Sequence, residues 1–116
     1  MNIALVAHDN KKELMTQFCT AYCGILAQHT LCATSSTGQQ IGARIAYNEI
    51  DMVLCFDDPN TKIANEDITY IFRLCDQNNI PYASNLATAE MLVLGLARGD
   101  LDWRSIVNPK PRPFTT

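Results

Sequence analysis

His8 and Asp9 stand directly after the apolar run "IALVA", and Lys12 follows one helical turn later. A second polar cluster, Thr34, Ser35, Ser36, Thr37 and Gly38, closes the run "TLCAT" (30–34). Asp57 and Asp58 close "DMVLCF" (51–56), and Ser84 and Asn85, with Thr88 close behind, close "IPYAS" (80–84). These residue types suit phosphate chemistry. Hydroxyls and free backbone N–H groups at a helix start attract anions. Gly38 permits close backbone approach, and Lys12 adds positive charge. Asp9 and Asp58 can take a proton from carbon beside a carbonyl when burial tunes them, and His8 can donate to the carbonyl oxygen. The same residues have structural uses. Ser36, Thr37 and Asp9 can cap helices, and Asp58 before Pro59 fits a turn.

The elements that must position them follow from hydrophobic periodicity. Residues 2–7, 30–34, 51–56 and 80–84 read as short apolar strands of the kind covered on both faces. Residues 10–27 read as one helix with Leu14, Phe18, Tyr22 and Ile25 on its apolar stripe and Asp9 as cap. A helix over 39–48 places Ile41 and Ile45 inward. Residues 65–78 show Ile68, Ile71, Phe72 and Cys75 at helical spacing, capped by Asn65. Residues 87–98 form a further helix closed by Gly99, and 103–108 read as a fifth, edge strand. Strand and helix alternate, so the predicted fold is α/β: three layers, α/β/α, around a mainly parallel sheet of four to five strands. Ligands of such sheets bind beyond the strand carboxyl ends, where all four polar clusters fall.

Composition narrows the function classes. The chain has 116 residues, 47% hydrophobic and 18% charged, with a net charge of −3. This suits one Rossmann-like domain over 1–108, followed by an extended proline-rich tail over 109–116. The acidic balance argues against a nucleic-acid partner. No run is long enough to span a bilayer, and His8 and Asp9 come too early for a secretory signal, so no membrane partner and a cytoplasmic location are expected. Five cysteines without a Cys-x-x-Cys pair predict neither a disulfide framework nor a metal site. Most are expected to be small buried apolar residues. Cys19 and Cys23, one turn apart, are expected on a helix face, and His29 on the surface.

"IALVAHD", "ATSSTG", "QQIGARIAYNEIDMVLCFDDP" and "NIPYASNLATAEML" occur in that order and together resemble the methylglyoxal synthase family over most of residues 2–93. The resemblance implies a lyase that converts dihydroxyacetone phosphate to methylglyoxal and phosphate through an enediolate, without metal or organic cofactor, in a homo-oligomer. It assigns phosphate binding to Lys12, Thr34, Ser36, Thr37 and Gly38. It places His8 on the substrate oxygens, and matches Asp9, Asp58 and Asp67 to carboxylates of the family site.

The departures from the family pattern bear on activity. The family carries a helix, a strand and a glycine-rich loop between the threonine-rich motif and the "QQIGA" motif, and that loop ends in the aspartate taken as catalytic base. Here Gly38 is followed directly by Gln39 and Gln40. The resemblance therefore implies a member one strand-helix unit shorter, with weak or lost synthase activity. A family histidine near Asp67 has no counterpart, with Ala64 standing about there. The family's C-terminal arginine has no clean match; Arg112 is a candidate in a different context. The same fold also serves as a non-catalytic phosphometabolite- or nucleotide-sensing module. The element order further resembles phosphorylation-receiver domains, with Asp9, Asp57 or Asp58, Ser84 and Lys110 in the corresponding places. A receiver needs a carboxylate pair for Mg²⁺, and His8-Asp9 supplies one carboxylate only.

Overall fold

The computed structural model describes residues 1–7, 11–34, 44–47, 49–56 and 66–104, and of residues 33, 34 and 66–68 the backbone alone. Strand β1 (Asn2–Ala7) leads to helix α1 (Lys12–Ala21), the short helix α2 (Cys23–Leu26) and β2 (Thr30–Thr34). Strand β3 (Met52–Phe56), helix α3 (Glu66–Gln77), strand β4 (Tyr82–Ala83) and helix α4 (Leu86–Ala97) complete the order. The sheet runs β2-β1-β3-β4, and every pairing is parallel. β1 sits in the middle, with Ala4 opposite Cys32 on one side and Val53 on the other.

Both faces of the sheet are covered, and this explains the apolar runs. Side chains alternate along a strand. Ile3, Leu5, Met52, Leu54 and Phe56 point to one face, where Met15, Phe18 and Leu26 of α1–α2 and Ala89, Val93 and Leu96 of α4 pack. Ala4, Val53 and Cys55 point to the other, against Ile45, Ile50, Ile71, Cys75 and Ile80. Phe18 meets Phe56 edge-on, with ring centroids 5.5 Å apart. Ile71 and Cys75 of α3, and Ala89, Val93 and Leu96 of α4, lie at spacings of three and four, which put them on one helix face. This is the α/β architecture that the alternation predicts.

Both long helices after the centre of the sheet end in left-handed residues. Gly99 has φ +80°. Its N–H donates to the Leu96 carbonyl, and the Asp100 N–H donates to the Gly95 carbonyl, closing α4. Asn79 has φ 55°, and the Ile80 N–H donates to the Cys75 carbonyl, which closes α3 the same way.

Three expectations need correction. The helix over 10–27 is two helices. Tyr22 leaves the helical region (φ −109°, ψ 21°), and its carbonyl accepts from both Ile25 and Leu26. The resulting turn carries Leu26 into the core. The residue preceding α1 is Lys11, with no side-chain cap bond, so Asp9 is not its N-cap. Trp103 and Arg104 lie in a helical turn rather than a strand, with the Arg104 side chain drawn to Asp51 and the Asn79 carbonyl at the amino ends of the strands. Of the helix over 39–48, residues 44–46 are helical with Ile45 buried. Residues 39–43, 48, 65 and 105–116, including the tail, lie outside the described residues.

Arg104 is 2% exposed and Asp51 4%. The guanidinium Nε lies 3.6 Å from Asp51 Oδ1, and Nη1 donates to the Asn79 carbonyl. Asp51 Oδ2 accepts from the Asn2 N–H at 2.8 Å. This group ties the amino ends of β1 and β3 to the chain after α4. His29 is likewise more than a surface residue. Half-buried, its Nδ1 lies 3.0 Å from the Met1 amino group.

All five cysteines are free thiols, but only Cys55 and Cys75 are buried, with Cys19 and Cys32 half-buried and Cys23 exposed. Burial foremost, and the charge of Asp76, push the Cys75 thiol up to about 12, against a smaller opposing effect of Arg104. At pH 8 its thiolate fraction is then about one in ten thousand, and the thiolate is the reactive species. Iodoacetamide at that pH is expected to modify Cys23 and to leave Cys75 untouched until urea is added, as peptide mass mapping will show. No helix among the described residues is long and apolar enough to cross a membrane.

Candidate functional site

Parallel strands place all four carboxyl ends on one edge of the sheet, and each helix that follows a strand starts there. Thr34 ends β2, paired with Val6 of β1. Lys12 opens α1, exposed, and its carbonyl accepts from the Thr16 hydroxyl at 3.0 Å. Asp67 is the second residue of α3. Asn85 precedes α4 in extended backbone. The fold thus brings the backbones of Lys12, Thr34 and Asp67 to the same edge as Asn85. The side chains of Thr34 and Asp67 are outside the described set, as are residues His8, Asp9, Ser36, Thr37, Gly38 and Asp58 entirely. His8 follows β1 after Ala7, and Asp58 follows β3 two residues after Phe56.

Asn85, grouped in the sequence with the polar residues at the strand ends, has a structural role here. Its Oδ1 accepts from the Thr88 N–H at 3.0 Å, so it caps α4. Asn85→Ala is expected to cost about 0.5–2 kcal/mol, and Asn85→Gly only a few tenths. Urea melts of the two variants check this.

Among the described residues no group of three His, Cys, Asp or Glu side chains is placed to hold a metal. Sequence reasoning missed the Asp51–Arg104 pair at the opposite edge. A lone carboxylate immediately before the most apolar strand was its one available signal.

No family model matches the chain. The chain is 52% identical to the methylglyoxal synthase of Caldicellulosiruptor saccharolyticus, over 95% of its own length and 94% of that protein's. The chain belongs to the methylglyoxal synthase family. The methylglyoxal synthase of Oceanobacillus iheyensis is 44% identical, with 95% of each chain covered. The crystal structure of methylglyoxal synthase from Elizabethkingia anophelis superposes with a TM-score of 0.71 at 30% identity, covering 79% of this chain and 76% of that one. The Caldicellulosiruptor alignment spans 133 positions against a chain of 116 residues, which leaves at least 17 positions filled by the relative alone. That surplus agrees with a shortened member of the methylglyoxal synthase family.

Proposed function

We propose that this protein binds inorganic phosphate or a small phosphorylated ketose such as dihydroxyacetone phosphate, and that the family's lyase reaction is weak or absent in it. The observation that carries the reading is the convergence of four parallel strand ends on one edge, each followed directly in sequence by an imidazole, hydroxyl or acidic residue, in a chain of this family. Lys12 and the residues Thr34, Ser36, Thr37 and Gly38 hold the phosphate, with charge from the first and N–H and hydroxyl donors from the rest. His8 faces the carbonyl and hydroxyl oxygens. Asp9, Asp58 and Asp67 are the remaining acids. No metal or organic cofactor enters the scheme. The protein acts in the cytoplasm and self-associates.

What is reduced is proton abstraction. The segment that ends in the family's base aspartate has no counterpart after Gly38, and neither Asp9 nor Asp58 replaces a base held by its own loop. Calorimetric titration with orthophosphate and with dihydroxyacetone phosphate, in EDTA, tests the binding half. Saturable binding is expected. Lys12→Met is expected to weaken it about ten- to a hundredfold, the range of one charge-assisted hydrogen bond. No binding at millimolar ligand, or an affinity unchanged by Lys12→Met, overturns the proposed site.

A further inference from the structure

Cys32 of β2 and Arg44 bring a thiol and a guanidinium into contact from two separate elements. Cys32 stands opposite Ala4 in the sheet, so its side chain shares the face of Ala4, Val53 and Cys55, against which Ile45 packs. Arg44 precedes Ile45 in the helical residues 44–46, and its Nη1 donates to Cys32 Sγ. Its Nε lies 3.6 Å from Glu49 Oε2, and the Glu49 N–H donates to the Arg44 carbonyl at 2.8 Å. Glu49 therefore steadies the guanidinium while it rests on the sulfur. Small molecules can reach the pair, since Cys32 is half-buried and the Arg44 side chain is 37% exposed. Cys75 and Arg104 also lie within electrostatic reach of each other, but both are buried.

A thiol and a guanidinium in contact suit one class of small molecule, a 1,2-dicarbonyl, whose two adjacent electrophilic carbons can both be bonded at once. Methylglyoxal is of that class, and it is the compound the relatives are named for. We propose that Cys32 and Arg44 form a covalent capture site for 2-oxoaldehydes such as methylglyoxal. Sγ adds to the aldehyde carbon and the thiol proton passes to the oxygen, giving a hemithioacetal. Arg44 gives its extra proton to water. Two of its nitrogens then bond to the two former carbonyl carbons and close a five-membered ring. Both carbonyl oxygens leave as water, and the ring becomes an imidazole that carries the sulfur on one carbon and the methyl group on the next. No oxidant or reductant enters. A hemithioacetal alone reverses when free aldehyde is removed. Contact makes the second step intramolecular, and well-oriented partners act at effective concentrations of about 10⁵–10⁸ M, so the adduct at Cys32 is trapped. The product fixes the strand that ends in Thr34 to the helical residues beside it. The inference stands whether or not this chain makes methylglyoxal itself.

The whole chain, incubated with methylglyoxal, freed of aldehyde by gel filtration and digested, is read by peptide mass mapping. A peptide pair joined through Cys32 and Arg44 is expected, heavier than its parts by one methylglyoxal less two waters. Thiol titration of the filtered protein is expected to show Cys32 lost and the exposed Cys23 recovered. Acetaldehyde, with a single carbonyl, is expected to leave no lasting product. Cys32→Ser and Arg44→Gln are each expected to lower the yield of cross-link about tenfold or more, because either change removes the intramolecular step, with the far-UV spectrum unchanged. Modification of Cys32 and Arg44 separately, or of neither, overturns the inference. So does a cross-link on Cys32 that survives Arg44→Gln at the parent yield. Should either variant misfold, the peptide map of the parent chain alone decides.

Discussion

Asp51→Ala is expected to remove about 3–5 kcal/mol of folding stability, the usual cost of breaking a buried ion pair and stranding one partner. Arg104 is the stranded group. Its side chain is almost fully buried, and neither Nε nor Nη2 has a hydrogen-bond partner. The 3.6 Å contact with Asp51 is an ion pair too long for a hydrogen bond, so charge alone balances the guanidinium there. Asp51→Ala also deletes the acceptor of the Asn2 N–H, which loosens the start of β1. A domain of this size is typically stable by only about 5–15 kcal/mol, so the variant loses a large fraction of its margin. Asp51→Leu with Arg104→Met is expected to be far less harmful than the two single changes added together, because an apolar pair of similar volume leaves no buried charge. Urea denaturation of the four proteins measures this as a double-mutant cycle. Additive effects would show that the two residues act independently.

With dihydroxyacetone phosphate as substrate, kcat/KM is expected to fall at least two orders of magnitude below that of the Caldicellulosiruptor saccharolyticus enzyme assayed alongside. Loss of a positioned general base costs about 10²- to 10⁴-fold, and loss of a positioning loop about a further hundredfold. The expected deficit is in kcat rather than KM, because Lys12, Thr34, Ser36 and Thr37, the residues proposed to hold phosphate, are present. Splicing the relative's intervening segment between Gly38 and Gln39 is expected to recover much of the rate. Methylglyoxal trapped as a hydrazone, with parallel phosphate release, reads both experiments. Turnover within tenfold of the relative would show that one of the retained carboxylates serves as base.

Much of the sheet was legible in the sequence because its strands are buried on both faces. "IALVA" and "MVLCF" need no partner to be recognised, and their alternating side chains fall into two cores as the α/β pattern requires. Helix α3 was legible for the same reason, since Ile71 and Cys75 form one stripe. The break at Tyr22 was not, because Phe18, Tyr22 and Ile25 keep helical spacing across it, and only the docking of Leu26 forces the turn. Trp103 and Arg104 were misread as strand for a related reason. A run of mixed polar and β-prone residues looks like an edge strand until a distant carboxylate, Asp51, captures the arginine. Long-range ion pairing leaves no local periodicity to detect. For the site, parallel strand order explains why Lys12, Thr34, Asp67 and Asn85 share an edge, and that much follows from the alternation of elements. Asn85's capping role emerges only from its bond to Thr88, since an asparagine before a helix serves a ligand or a backbone equally well in sequence.

The clamp made by Asn2, Asp51, Asn79 and Arg104 lies at the amino ends of the strands, on the far side of the sheet from the polar residues. The clamp therefore sits at the edge opposite the strand ends to which ligand binding is assigned in the proposed function. A lineage can shorten or exchange loops on the reactive side while selection still maintains a foldable scaffold from the other. Grafted loops from more distant relatives should be tolerated for the same reason, which makes this chain a convenient minimal host for testing loop chemistry step by step.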